Sequence, residues 1–402
     1  MMLSDLRVIE YGEFVSAPYC SRLFADLGAK VIKVEPPDNG DLARSYGPFP
    51  GDVPHLNKSG LFIFLNTGKQ SVTLNLKDPE GGKIFRRLLE GADIFITNTL
   101  PKVIEQWQLD YLSLAKTHPK LIYCAITPFG WEGPYRNYKG FNLHCAALSG
   151  ASWAIGSPGR EPLQIPLHQC DFQGGINGAA AIMVAIMARK KFGHGQFIDI
   201  SVSDVMATYA GTNAILYLFY GLQWQRDGRR AWGSGGPYPY GLFPCKDGFV
   251  CLIARTHRDW NRLLDAFGRP DWADRPRYQD QFAMGREYPD EVDALLIPIL
   301  KRYTKKELFQ LAREYGFPLA PVRWIHESLD EPQLKERAFF ESIQIPDIGT
   351  LYLPKLPFQF SNKKFESLRP APLLGESNQN VLMGELGLTK EDMSALEKQE
   401  VI

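Results

Sequence analysis

The sequence predicts an α/β protein with a large parallel-sheet domain and a smaller α+β domain inserted into it. Two observations carry that reading. Short apolar runs alternate with helical stretches through residues 1–130, the rhythm of β-α-β units. A Gly-rich, aromatic and basic stretch at 221–241 then breaks the rhythm, and strand-like Gly349–Leu353 and the Pro-rich Pro370–Pro372 follow later. A chain of 402 residues also exceeds what one hydrophobic core usually serves.

The elements follow in order. Leu6–Tyr11 is a short apolar run, Ala17–Leu27 places apolar residues at helical spacing, and Lys30–Glu35 alternates like a strand. Ser71–Leu76, Asp93–Thr97 and Leu121–Thr127 are further strands, with a helix at Pro79–Leu89 opened by proline. Phe172–Lys190 predicts a long helix rich in Ala and Gly, which lets another backbone approach closely; it ends in Arg189, Lys190 and Lys191, as a helix C-terminus favours. Gln196–Val202 is a strand, Asp204–Phe219 a buried helix, and Phe249–Ala254 the second strand of a hairpin. The expected division is 1–205 with 325–402 as the large domain, 206–225 as a linker helix and 226–324 as the small domain.

Composition excludes several function classes. Lys+Arg and Asp+Glu both total 45, so the clustered positive charge that nucleic acid demands is lacking as a general feature. No apolar stretch is expected to span a membrane, and the N-terminal residues, with Asp5, Arg7 and Glu10, lack a signal-peptide core; a cytoplasmic protein is the expectation. The six cysteines are scattered without a C-x-x-C pair and read as buried thiols, and no histidine spacing suggests a metal site. G-x-G-x-x-G, P-loop and G-x-S-x-G signatures are absent.

The most informative local context is Pro166-Leu-His-Gln-Cys-Asp171-Phe-Gln-Gly-Gly. Asp171 stands at the start of the long uncharged helix, where backbone donors and the helix dipole favour a negative charge. By position alone, an aspartate here is more often a helix cap.

The chain resembles the family III CoA transferases, the CaiB/BaiF group. The resemblance runs from Leu6 to Leu374. It rests on Phe24-Ala-Asp-Leu-Gly-Ala-Lys-Val-Ile-Lys-Val-Glu-Pro-Pro37, Asn66-Thr-Gly-Lys-Gln-Ser71 and Leu74-Asn-Leu-Lys77. It continues through Gly130-Trp-Glu-Gly-Pro134, Ala147-Leu-Ser-Gly150, Gly193-His-Gly-Gln196 and Pro372-Leu-Leu-Gly375. What it implies is a Rossmann-like sheet domain joined from N- and C-terminal parts, in an intertwined homodimer. It also implies transfer of CoA from an acyl-CoA thioester to a free carboxylic acid, with Asp171 as nucleophile. Coenzyme A is then a substrate, with no tightly bound cofactor and no metal. By the same resemblance Lys69, Arg44, Lys139, Asn98 and Lys102 are candidate CoA contacts. Val15 lies near the reaction centre, and the loop bearing Gly233, Gly235 and Gly236 could shield the intermediate.

The chain also departs from the family. Val15 stands where the formyl-CoA transferases carry a glutamine, and Pro36 where they carry an arginine. That argues against a formyl-CoA and oxalate pair. Two other readings stay open. A racemase of the same fold would pair the aspartate with a histidine, but that position is Phe141, with His144 and His168 only nearby in sequence. The other is a CoA-binding protein without catalysis. A thiol-based acyltransferase on Cys145 or Cys170 lacks a surrounding histidine-and-acid set.

Overall fold

The structure, a computed structural model, describes residues 2–224, 226–230, 236–361 and 367–402. It divides into two units: Met1–Ser149, Ile165–Tyr209 and Pro332–Ile402 form the first, Gly150–Gln164 and Ala210–Glu331 the second. The second is wider than the 226–324 read from composition, because 150–164 is tied to the residues around 226. Gly228 N donates to Gly156 O at 2.9 Å, and Arg226 donates to Arg160 O at 2.7 Å while its guanidinium lies over the Trp153 ring.

The first unit opens with β1 (Arg7–Tyr11), α1 (Ser16–Asp26), β2 (Lys30–Glu35), α2 (Gly60–Leu65), β3 (Gln70–Thr73), α3 (Pro79–Leu89) and β4 (Ile94–Thr97). It continues with α4 (Pro101–Gln106), α5 (Tyr111–Leu114), β5 (Ile122–Thr127), α6 (Asn142–Leu148), α7 (Gln169–Phe192) and β6 (Phe197–Ser201). The six strands are all parallel, in the order β3-β2-β1-β4-β5-β6. This is the doubly wound order, in which the chain reverses its direction of travel between β1 and β4. Helices cover both faces, so β4 and β5 are buried at every residue. α3 shows how the local sequence cooperates. Asp78 caps it by accepting from Glu80 N, Pro79 begins it, and Arg86 and Arg87 close it. Its buried Phe85, Leu88 and Leu89 each contribute about 1.5–3 kcal/mol.

α8 (Val202–Tyr220) follows β6. The second unit then holds β7 (Tyr240–Cys245), β8 (Gly248–Ile253), α9 (His257–Ala266), α10 (Gln281–Arg286), α11 (Pro289–Leu300), α12 (Lys305–Tyr315) and β9 (Leu319–Pro321). Its antiparallel sheet, β7-β8-β9, packs around Trp260, Leu263, Leu296 and Leu308. Returning to the first unit, the chain adds α13 (Pro332–Glu336), the hairpin β10 (Phe340–Ile345) and β11 (Gly349–Pro354), and α14 (Lys390–Lys398). Among the described residues the C-terminal part gives no strand to the parallel sheet. It joins by packing Val381, Leu382, Leu396 and Val401 into the core beside Phe85, and by Asn75 N donating to Val401 O at 2.8 Å.

Two expectations need correction. α7 is long and apolar enough by composition to cross a membrane, although no such stretch was anticipated. One face of it is buried, where its glycines receive α1: a Cβ added at Gly175 would stand 2.7 Å from Ser16 O; Val184 and Met187 on another face are exposed. α8 is apolar as anticipated but is not buried, for Ile215, Tyr217, Leu218, Phe219 and Tyr220 are each more than half exposed. Pattern reports how apolar a face is and cannot report whether this chain alone covers it.

Candidate active site

The turns leaving the carboxyl ends of β1, β2, β4 and β5 enclose a cavity of about 420 Å³ in the first unit. Its walls include Tyr11 to Ser16, Glu35 and Pro36, Asn98 to Leu100, Pro128, Lys139 to Phe141, and Asp171. This is the crevice where open α/β sheets bind ligands, outside the strand ends at the switch point. α1 starts here with no side-chain cap, so its first amides are available to an anion.

Asp171 is the third residue of α7. The cap expected of it is supplied by another residue: Asn142 of α6 accepts from Cys170 N at 2.8 Å and donates to Ile165 O at 3.1 Å. His168 occupies the N-cap position without a side-chain bond, and both it and Leu167 are left-handed, at φ 54° and 59°, a conformation that costs energy for any residue but glycine. Among the described residues no hydrogen bond or ion pair reaches the Asp171 carboxylate. Burial, with nothing to offset it, pushes that carboxyl up to about 7. At neutral pH a large share is therefore ionised yet poorly solvated, which suits a nucleophile.

The other candidates divide sharply. Val15, Asn98 and Lys139 line the cavity with Asp171. Lys139 is exposed at the rim, whereas the Asn98 amide is occupied, accepting from Glu13 N at 3.0 Å and donating to Glu13 O at 2.7 Å. Lys102 sits exposed on α4 and is not part of the wall, although Leu100 and Val103 are. Gly233 and Gly235 lie outside the described residues, and Gly236 belongs to the second unit.

Arg44 and Lys69 do not face the cavity as free cations. Both are buried, Arg44 at 0% exposure, in a cluster of three acids and three bases. Lys69 Nζ pairs with Glu10 at 2.9 Å, and Lys33 Nζ with Glu10 at 2.7 Å and Asp41 at 2.6 Å. Arg44 grips Glu35 with two bonds, at 2.7 and 2.9 Å, over the Phe62 ring. Glu10 and Lys33 stand opposite each other in the β1–β2 register. The residues missed by sequence reasoning are thus Glu10, Lys33, Glu35 and Asp41, together with Asn142. The available signal was charge set among buried apolar positions, Glu10 in β1 and Lys33 and Glu35 in β2.

Comparison with known proteins gives the family. A sequence model of CoA-transferase family III matches residues 3–378. The chain belongs to that family. It is 30% identical over 401 residues, covering 100% of this chain and 98% of the relative, to the succinyl-CoA–D-citramalate CoA-transferase of Chloroflexus aurantiacus. It is 31% identical over 382 residues, 94% of each chain, to the succinate–glutarate CoA-transferase of Agrobacterium fabrum. In fold it is similar to a CaiB/BaiF family protein from Brucella suis, with a TM-score of 0.84 and 28% identity, covering 94% of this chain and 98% of that one. This family III CoA-transferase is an enzyme acting on CoA thioesters.

The rival chemistries fit the cavity less well. Its wall contains no histidine among the described residues; Phe141 lines it, and the His168 ring packs edge-on against Phe14 at 4.9 Å. Burial, followed by the negative charge of Asp171, pushes the thiol of Cys145 up to about 12 and that of Cys170 up to about 11. Neither is a ready thiolate nucleophile. Among the described residues no group of histidine, cysteine or acidic side chains could hold a metal ion.

Proposed function

We propose that the protein moves CoA from an acyl-CoA thioester to a free carboxylic acid through covalent intermediates on Asp171. The observation that carries this reading is a carboxylate raised to about 7 by burial, partnerless among the described residues, in the wall of the switch-point cavity. Its oxygen attacks the thioester carbonyl carbon, the C–S bond breaks, and CoA leaves as the thiolate. The product is a mixed anhydride between the acyl group and Asp171. The thiolate then attacks the aspartyl carbonyl of that anhydride, releasing the donor acid and leaving an aspartyl-CoA thioester. An acceptor carboxylate attacks this thioester to form a second anhydride, and the thiolate attacks the acceptor's carbonyl to give the new acyl-CoA and free Asp171. The first amides of α1 are suited to hold the oxyanion formed in these attacks. Lys139, exposed at the rim, serves the CoA phosphates.

The relatives named for succinyl-CoA, citramalate and glutarate make succinyl-CoA the first donor to try and small dicarboxylic acids the first acceptors. The exposed apolar end of α8 supports assembly as a homodimer, which would cover it. Incubating the enzyme with succinyl-CoA and a panel of acids, read by mass spectrometry, tests the activity. A new acyl-CoA that disappears in Asp171→Ala supports the reading, and turnover unchanged in that variant refutes it. Exchange of the α-proton of a 2-methylacyl-CoA with deuterated water, without an acceptor, would favour the racemase instead.

A further inference from the structure

The turn from β1 to α1 is held in an unfavourable shape by groups that take no part in the chemistry above. Phe14 is left-handed at φ 66°, a conformation bulky side chains avoid unless neighbours over-determine it. Its neighbours do so. Lys33 Nζ donates to Gly12 O at 2.8 Å, and Asp41 Oδ1 accepts from Phe14 N at 2.7 Å. Asp41 Oδ2 pairs with the same lysine at 2.6 Å. The turn is therefore gripped at its carbonyl by one member of a buried ion pair and at its amide by the other. Asn98 fastens Glu13 between them. Gly12 has no room for a side chain: a Cβ there would come 2.5 Å from Ala17 Cβ.

What the clamp presents is the Phe14 ring. It meets the His168 ring edge-on with centroids 4.9 Å apart, and Tyr46 at the same distance. His168 is the left-handed residue at the head of α7, three positions before Asp171. The helix has no side-chain cap of its own, so its first turn is located by Asn142 on one side and by this aromatic contact on the other.

We propose that Lys33 and Asp41 form a positioning device for the nucleophile, clamping the turn at 12–14 so that Phe14 braces the first turn of α7 and fixes the approach of Asp171 to its substrate. The inference rests on the CoA-transfer reading above. Neither Lys33 nor Asp41 is a catalytic residue; their effect passes through Phe14 and His168.

The experiment is a double-mutant cycle on the full chain, using the best donor and acceptor pair from the screen. Phe14→Ala removes the brace without touching a charge, and should lower kcat about 10- to 100-fold while changing KM for acyl-CoA less than about threefold. Asp41→Ala should lower kcat similarly. Asp41→Asn, which keeps an oxygen for Phe14 N and Ala43 N, should recover at least about threefold of that loss. Because both residues act through one route, the double variant should be no slower than the slower single one. A kcat for Phe14→Ala within about twofold of wild type overturns the proposal, as does multiplication of the two losses. If the Asp41 variants do not fold, Phe14→Ala decides alone. A wild type inactive with every pair would instead sink the functional reading, so the two failures are distinct.

Discussion

Glu10 and Glu35 in the cluster, and Asp171 at the head of α7, are all carboxylates withdrawn from water, and they end in opposite states. In the cluster under β1 and β2, burial would push Glu10 up, but Lys33 and Lys69 hold it down at about 2. Burial likewise opposes ionisation of Glu35, and Arg44 and Lys33 bring it below the ordinary carboxylate range. At the head of α7, burial acts on Asp171 with nothing to offset it, and the carboxyl rises to about 7. Burial by itself does not mark a reactive acid. The missing partner does, because a paired carboxylate is stabilised as a weak nucleophile while an unpaired one gains by forming a bond that removes its charge.

The sharpest way to break that contrast is Asp171→Asn. Transfer should fall about 1000-fold or more, as expected for loss of a covalent nucleophile. The same change should make the protein more stable above neutrality. Between its ordinary pKa of 3.8 and its folded value of about 7, the folded state holds a proton that the unfolded state has released. Stability therefore declines as pH rises through this window, and the full penalty applies above it. Removing it should be worth about 2–4 kcal/mol at pH 8 and close to nothing below pH 4. Urea unfolding of both proteins at the two pH values checks this; equal stability at pH 8 would mean that Asp171 is partnered in solution.

The paired cluster predicts the reverse. Glu10→Gln leaves Lys33 and Lys69 short of a shared counter-charge, and should cost about 3–5 kcal/mol. A shift of the urea midpoint with an unchanged slope would report it. Loss of less than about 1 kcal/mol would put this cluster in the class of weak surface pairs.

Much of the fold was legible because a buried parallel sheet writes itself as short apolar runs. Lys30–Glu35 and Pro79–Leu89 coincide with β2 and α3 at both ends. Asp171 could be proposed as a nucleophile only through the family resemblance, since its local sequence reads as a cap. Its true capping partner, Asn142, comes from another helix, and no local pattern announces a cap that arrives through space. Arg44 and Lys69 were assigned to CoA because charge in a sequence does not reveal its partner. Glu10 and Lys33 inside apolar strands were the available warning: each needed an opposite charge, and between them they claim Lys69 and Asp41. For α8 the limit was different, because its apolar character is real and a sequence pattern does not say whether such a face is covered.

The same contrast sets the pH dependence of the reaction. In the proposed mechanism Asp171 attacks as the carboxylate, so kcat/KM should fall about tenfold for each pH unit below its folded value and level off above it. Glu10 titrates near 2 and stays ionised through that range, whereas burial raises Asp41 in spite of Lys33, and raises Glu13 in the cavity wall. The ionisation of Asp171, the carboxyl raised to about 7, should dominate the acid limb between pH 5 and 8. A profile flat down to pH 5 would mean that substrate or solvent restores the partner this carboxylate lacks.

The smallest effect belongs to the rim. Lys139 is exposed and lines the cavity beside Gly140 and Phe141, so its attraction to a phosphate is exerted largely through water. Such a contact is worth about 1 kcal/mol and weakens as salt screens it. Lys139→Ala should therefore raise KM for acyl-CoA about fivefold at low salt and leave kcat within about twofold. The difference in KM should shrink towards wild type at about 0.5 M salt, where the screening length falls well below 10 Å. A large fall in kcat, insensitive to salt, would instead make Lys139 part of the arrangement that orients the thioester at Asp171. The division between a buried reactive carboxylate and an exposed rim cation would then have to be redrawn.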